Sequence, residues 1–559
     1  MQQVTANPVS RRSPGWVAAL VVVLAWVTAG AQTGPASHAG TSPGTGPYRI
    51  AGTVVNAVTG EPVRRATVAV LDEKDSRTVE SVVSDADGHF VVEALPAAKY
   101  QLTASKRGFR TGFYDEHEEF SSAIVTGPDQ DTAHLKFRLT PGAVLHGVVS
   151  GDGGDPIEGA RVMLFLRPQH PKLGEHIQQA DSATTDDAGA YEFGNLAPGE
   201  YMVAVLAEPW YAMHSAGSRA QTKQGSEASS ALDVAYPVTY FDSTTDEASA
   251  TPIVLTGGSR EEADINVHAT PALRLSIETP RKADGSIARP ELRQMIFGTQ
   301  ISAESAGFLD AMQTGSVEFT GVAPGHYQLA QGDPPRLADM DLAASQQVDA
   351  NSGAPVFTVA GSLRMANGIA PPDDVNLRLQ LTNGARGHDD LAVQAKKGRF
   401  KFEMVQPGTW SLWAESGGKM LPVVSVAAGG AAHAGGQFTV RDRVPNLVAT
   451  LSQGNARVEG FVHKDGKGFA GAMVVLVPRD TDAWQALTRR DQSDSDGSFS
   501  LRDVAPGQYT VLAIEDGWEL DWMRPEVLGR YLRNGTAVTV NDNSGALVHV
   551  AELVTVQSR

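Results

Sequence analysis

Apolar and polar residues alternate in short runs along most of this chain, and the runs recur in one arrangement. A stretch reads Asp87-Gly88-His89-Phe90-Val91-Val92-Glu93-Ala94-Leu95-Pro96-Ala97-Ala98-Lys99-Tyr100. Four more copies follow, with Gly189, Gly315, Gly398 and Gly497 in the place of Gly88. Two positions on stand Phe90, Tyr191, Val317, Phe400 and Phe499, and two further on Val92, Phe193, Phe319, Phe402 and Leu501. This alternation turns one face of a strand into a core. Next come Leu95, Leu196, Val322, Val405 and Val504. Pro198-Gly199, Pro324-Gly325, Pro407-Gly408 and Pro506-Gly507 then turn the chain, with Ala97-Ala98 there in the first copy. Proline presets φ at such a turn and glycine frees the next position. An aromatic opens the following strand: Tyr100, Tyr201, Tyr327, Trp410 or Tyr509. The unit is a β-hairpin.

The leading glycines recur at intervals of 101, 126, 83 and 99 residues. Those intervals are domain-sized and unlike a short-repeat solenoid. The front half of a unit is legible in the first, second and fifth copies. Gly52-Thr53-Val54-Val55, Gly147-Val148-Val149 and Gly460-Phe461-Val462 open a strand, and residues 66–70, 160–164 and 472–476 form the next. Copies three and four are more degenerate, although the fourth keeps Gly361 and alternating Val375, Leu377 and Leu379. Several short strands per hundred residues predict a sandwich. Helix signals are scarce, and Met523 to Arg533 is the best candidate.

The pattern Asp-x-Asp-Gly-x-Phe followed by Leu-x-Pro-Gly-x-Tyr, with Ala-x-Val before it, resembles the carboxypeptidase regulatory-like domain. The resemblance covers the first, second and fifth copies well and the third and fourth in part. It implies an all-β chain, a tandem array of about five small Greek-key sandwiches of the transthyretin (prealbumin) type, similar in fold to Cna B-type repeats and starch-binding-like modules. The expected organisation is a signal peptide at 1–31, a flexible leader at 32–47, and modules at 48–142, 143–270, 271–352, 353–453 and 454–559. In that family the module usually accompanies a peptidase, an adhesin or a receptor plug. No peptidase domain is recognisable here, so carboxypeptidase zinc ligands have nothing to map onto. Cna B-type relatives cross-link a lysine to an asparagine, and no lysine stands near Val54-Val55 or Val148-Val149.

The start of the chain bears on location. Arg11 and Arg12 precede an apolar run from Trp16 to Thr28, then Ala29-Gly30-Ala31 and polar Gln32. This is the layout of a secretory signal peptide, and the run is short for a membrane span; the alternative is an uncleaved N-terminal anchor. It predicts a bacterial protein that is secreted, periplasmic or on the outer surface. The formal charge is −18, spread along the chain, which argues against a nucleic-acid surface built of clustered Lys and Arg. There is no cysteine, which excludes disulfides, thiolate metal sites and a cysteine nucleophile.

No catalytic residue, cofactor or metal is expected. No Gly-x-Ser-x-Gly elbow stands between a strand and a helix, and the 14 histidines form no His-Glu-x-x-His. Small sandwiches joined by short linkers rarely offer a deep cleft. Asp85-Ala86-Asp87-Gly88, Asp186-Asp187-Ala188-Gly189 and Asp494-Ser495-Asp496-Gly497 resemble calcium-loop fragments but lack the frame of an EF-hand, and a hairpin turn explains them. Asp115-Glu116-His117-Glu118-Glu119 reads as a solvated acidic loop. Two aromatic groups remain as ligand candidates: Trp210, Tyr211, Tyr236, Tyr240 and Phe241, and Trp484, Trp518 and Trp522. Of these, Trp210, Tyr211, Tyr236, Tyr240, Trp518 and Trp522 are the expected sites, for stacking on sugars; the alternative is that the rings cap sandwich cores. The functional expectation is a non-enzymatic envelope protein that binds a polysaccharide or another envelope protein. An accessory part of an extracytoplasmic peptidase and a mechanical spacer are the alternatives.

Overall fold

The computed structural model describes residues 46–559 apart from 169–176, 215–230, 280–288, 303–314, 383–390, 442–445, 542–545, the pair 481–482 and positions 333, 350, 430, 455 and 523. The expected signal peptide and nearly all of the leader lie outside the described residues.

The first module sets the plan. Its strands are β1 (Tyr48–Asn56), β2 (Thr67–Asp72), β3 (Thr78–Val83), β4 (His89–Leu95), β5 (Lys99–Ser105), β6 (Gly112–Phe113), β7 (Ile124–Val125) and β8 (Leu135–Leu139). One sheet has the order β4-β1-β8; the other runs β3-β2-β5-β6, with β7 also on β5. The inward residues of the two sheets, among them Ile50, Val68, Val92, Tyr100 and Phe137, form one buried core. Each is apolar and alternates with an outward neighbour, as a sandwich requires. Four further cores of the same make follow along the chain, centred on Val162 and Phe193, Leu275 and Phe319, Leu379 and Trp410, and Leu476 and Tyr509.

The repeat is reproduced in backbone geometry. Gly88, Gly189, Gly315, Gly398 and Gly497 all have φ between +67° and +83°. At Gly497 an added Cβ would also lie 2.3 Å from the Val462 carbonyl oxygen, so no other residue fits there without displacing the backbone. One residue before the repeated Leu or Val, Ala94, Asn195, Gly321, Met404 and Asp503 also take positive φ. In four modules the same strand pairing carries a register shift near this point, at Tyr48/Ile50, Phe193/Leu196, Leu273/Leu275 and Phe357/Val359; in the fifth it is at Ala456/Val458. This is a β-bulge used five times.

The closing aromatics have a second duty. Tyr100, Tyr201, Tyr327 and Tyr509 each donate their hydroxyl to the carbonyl four residues earlier, at Pro96, Ala197, Ala323 and Ala505, over 2.7–3.1 Å. Trp410 Nε1 does the same to Gln406 at 2.9 Å. Burial of an aromatic polar tip is tolerated because each tip is satisfied, and the bond ties down the turn.

Opening and closing strands of every module run parallel. Residues 52–56 lie beside Leu135–Leu139, and the counterparts are 144–146 with Arg260–Glu262, 275–277 with Gln346–Val348, 361–365 with Leu447–Leu451, and 457–459 with Leu547–His549. In the fifth module Val554–Gln557 pairs with Val462 and His463 on one sheet and with Ala513 and Ile514 on the other, so the two sheets merge into one.

Two expectations are corrected. Ala354–Pro355, placed in the fourth module by sequence, pairs with Arg336 and Leu337 of the third. The helix expected from Met523 to Arg533 is one turn, Pro525–Leu528, and a 3-10 turn, Leu532–Asn534. Among the described residues no helix is long and apolar enough to cross a membrane.

Candidate functional site

The site grows from one edge strand. In the first module β3 is followed by Ser84, whose hydroxyl donates to the Val63 carbonyl and accepts from the Ala66 N–H. Thr185 and Ser493 make the same pair of bonds in modules two and five, to Ile157 and Ala160 and to Phe469 and Ala472. The three strands are therefore in register, and positions 81–83, 182–184 and 490–492 correspond. In module one these are Ser81, Val82 and Val83, and in module two Ser182, Ala183 and Thr184; the outer two of each three face outward and the middle one leans on the core. In module five they are Arg490, Asp491 and Gln492.

Arg490 and Gln492 face outward like their counterparts, yet are 9% and 1% exposed. The first module covers them. Arg490 donates from both terminal nitrogens to Glu118, at 3.1 and 2.6 Å, and its guanidinium lies 3.9 Å from the centre of the Trp522 ring. Gln492 Nε2 donates to the Asp115 carbonyl at 2.5 Å and the Ser122 hydroxyl at 2.9 Å, and its Oε1 meets His117 Nδ1 at 3.1 Å. His117 stacks on Trp518 with ring centres 5.3 Å apart and planes 9° apart. The loop at 115–119, expected to be solvated, is thus a docking element. Its charges gave no hint of this, because sequence does not say which charges find a partner.

The turn beside this strand is also put to new use. Asp85 and Asp186 each accept from two backbone N–H groups of their own turn, at 2.8–2.9 Å. These are hairpin caps. In module five Asp494 accepts instead from the Ala123 N–H at 2.8 Å and from Lys99 Nζ at 2.6 Å, both in module one. Asp496 takes over the local capping of Ser498. Ser495 extends the contact, accepting from the Val125 N–H and donating its own N–H to the Ala123 carbonyl. Burial works against the Lys99 ammonium, but Asp494, with Asp496 and Glu73 nearby, offsets it and raises the Lys99 pKa.

Module one therefore meets module five, about 370 residues later in the chain. Module four lies alongside, and the three enclose a cleft of about 1090 Å³. This corrects one expectation: a tandem array of small sandwiches does offer a cleft here, because its first and fifth modules come together.

The cleft floor is the outer face of the strand pair Ala456–Lys464 and Ser498–Val504. Arg457, Glu459 and Phe461 alternate along the first strand, and Phe461 is 50% exposed. Trp413 and Met420 of module four look onto the same space. At the edge is Asp491. It occupies the core-leaning position of Val82 and Ala183, where a carboxylate is poorly solvated. Burial pushes its pKa up to about 7, against a 2.6 Å hydrogen bond from the Ser500 N–H, and nearby Asp494 adds to the shift. Ser500 also donates to Glu459 at 3.3 Å. Among the described residues no group of three His, Cys, Asp or Glu side chains is placed to hold a metal ion.

The six aromatics expected as ligand sites divide. Trp210 is 92% exposed and sits edge-on to Tyr211, ring centres 5.7 Å apart. Tyr236 and Tyr240 are buried. Burial pushes the Tyr236 hydroxyl up to about 12, with Tyr211 adding to it. Tyr240 packs between modules two and three against Phe297 and Phe165. Trp518 and Trp522 are buried with Trp484 on the outer face of the strand Met473–Pro478. A ring covered in this way cannot stack on a sugar, so Tyr236, Tyr240 and Trp518 are corrected to packing residues; Trp522, 5% exposed, is among the residues that line the cleft. Trp413 and Phe461, which also line it, were missed. The available signal was in the second strand of each module. Thr67-Val68-Ala69-Val70 alternates, but Met473–Pro478 is apolar throughout, so both of its faces are covered.

Residues 49–140 and 144–232 match the carboxypeptidase regulatory-like domain, so the resemblance read from the motifs holds for the first two modules. No curated protein matches the chain. Solved structures similar to it include a streptococcal ancillary pilin, 11% identical over 72% of this chain and 99% of that one, with a TM-score of 0.16. The Bacillus anthracis TIE protein is 11% identical over 88% of this chain and 68% of that one, with a TM-score of 0.15. The minor pilin GBS52 of Streptococcus agalactiae is 13% identical over 40% and 97%, with a TM-score of 0.18.

Proposed function

We propose that this chain is a non-catalytic bacterial protein of the cell envelope or exterior, whose modules fold back to build one ligand cleft, and that the ligand is a polysaccharide. The observation that carries the reading is the cleft shared by modules one, four and five. Its floor mixes exposed Phe461 and the Trp413 indole with Arg457, Glu459 and Asp491. Apolar rings suit the CH faces of sugars, and side chains that both donate and accept suit hydroxyl groups. Location rests on the signal-like segment at 11–31.

The test is binding of residues 32–559 to a panel of soluble and insoluble polysaccharides. Saturable binding to one class, weakened at least tenfold by Trp413→Ala or Phe461→Ala and unchanged by Trp210→Ala, supports the cleft. Loss with Trp210→Ala alone moves the site to that exposed ring. No binding across the panel directs the search to an envelope protein. The two regulatory-like matches favour a second reading, an accessory of an extracytoplasmic peptidase. A change in the hydrolysis rate of a co-purifying peptidase on adding the chain supports that one.

A further inference from the structure

The first module holds the fifth far more extensively than it holds its neighbour in sequence. Between β8, which ends at Leu139, and the strand that opens at Ala143 there are three residues, Thr140, Pro141 and Gly142. Around them the first two modules touch through few groups. The Gly258 N–H donates to the Pro141 carbonyl at 2.9 Å, Arg110 reaches the Asn195 carbonyl at 3.4 Å, and Val58 rests on Gly257. Against module five the same module sets the two-pronged Glu118–Arg490 pair, Lys99–Asp494, Arg502–Glu73, the Gln492 and Ser122 network and the backbone bonds of Ala123 and Val125.

We propose that these two surfaces also join two copies of this chain, the first module of each copy docked on the fifth module of the other. The contact is made by two different faces at opposite ends of one chain, so every bond in it can form equally well between copies. Among the described residues no strand of the first module pairs with one of the second, and a hinge of three residues is all that must turn to exchange partners. Undocking returns Arg490, whose side chain is 3% exposed when docked, and Gln492 to water, and uncovers the packing of His117 and Phe120 on Trp518. An opened chain therefore presents two surfaces that match in shape, charge and apolar area. Within one chain the tether keeps the two surfaces near each other, so dilute protein closes on itself; crowding, or a block to self-closure, favours exchange.

Charge reversal tests this in the full chain. Glu118→Arg places like charges in its own junction, and so does Arg490→Glu. Each variant alone should stay monomeric with a larger radius of gyration than the unaltered chain. Mixed one to one, both junctions between copies become complementary: the first module of the E118R copy meets the fifth module of the R490E copy with the charges of the pair exchanged, and the other junction is native. Light scattering should then read a doubled mass. The proposal is overturned if the mixture stays monomeric, if either variant alone remains as compact as the parent, or if either alone doubles in mass. Should Arg490→Glu fail to fold, Lys99→Asp in one copy and Asp494→Lys in the other make the same exchange at the other end of the junction, with the same outcomes.

Discussion

Modules two and five carry the same edge strand with opposite surroundings. Gln178–Thr184 of module two is exposed along nearly its whole length, while Arg489–Gln492 of module five is covered by module one on its outer face. The backbone pairing is the same, strand against strand with Val162 opposite Ala183 and Val474 opposite Asp491. Around that shared pairing the side chains differ, and so do the segments packed on it, with Trp484–Leu487 and the Trp518 and Trp522 rings added in module five. Thus the same edge pairing acquires a partner where three edge residues change, one turn carboxylate is redirected and aromatic rings pack beside it. Fold and function separate cleanly here, as they do on other widely used scaffolds.

The two edges can be interconverted one residue at a time. Arg490→Ser installs the residue of module two and takes from Glu118 the cation it meets beside a buried ring; it should cost about 3 kcal/mol in chemical unfolding. The reverse change, Ser182→Arg, falls on an exposed strand and should shift stability by less than about 0.5 kcal/mol. Asp491→Asn should act in the other direction and only at higher pH. The folded pKa of about 7 lies above the ordinary carboxylate value, so protonated Asp491 contributes stability that is complete in acid and lost as pH rises through 7. The variant should gain on the order of 2 kcal/mol over the parent at pH 8 and nothing at pH 4, read from melts at the two values. A gain equal at both pH values would show that the carboxylate is not strained.

Smaller effects sharpen the contrast. Gln492→Val gives module five the residue of module one and strips Ser122 and the Asp115 carbonyl of their donor; it should cost about 1–2 kcal/mol, and Val83→Gln, on a side chain 62% exposed, close to nothing. Tyr201→Phe and Tyr509→Phe should each cost about 1 kcal/mol, and by the same amount, because the hydroxyl-to-turn bond is shared by both modules. Unequal losses would mean that the junction tightens the fifth core as well as its edge.

What sequence revealed follows the range of the interaction. Gly88 and its four counterparts, the alternation after them and the closing aromatics act within about fifteen residues, so pattern alone exposes them. The bulge at Ala94 and Asn195 and the hydroxyl bond of Tyr100 were hidden inside that pattern but obey it. The junction joins residues 115–125 to 490–498 and leaves no periodicity at all. Asp491 was the one local irregularity, a carboxylate where Val82 and Ala183 stand, and only the shared register of the three strands makes it visible. The cleft is further removed still, since three modules are needed to form it.

The parallel pairing of the opening strand with a late strand, present in all five modules, fixes how the chain answers a pull. Tension applied through the two ends of a module draws its opening and closing strands past one another along their length. All the hydrogen bonds between residues 52–56 and Leu135–Leu139 then bear load together and must fail nearly at once, in shear, where a hairpin pulled at its open end would unzip bond by bond. Forced extension is governed by such barriers rather than by equilibrium stability. In the fifth module Val554–Gln557 grips both sheets, so the same pull must tear two ladders together. Under stretch the junction of polar contacts between first and last modules would part first, and the sandwiches would then hold as stiff links.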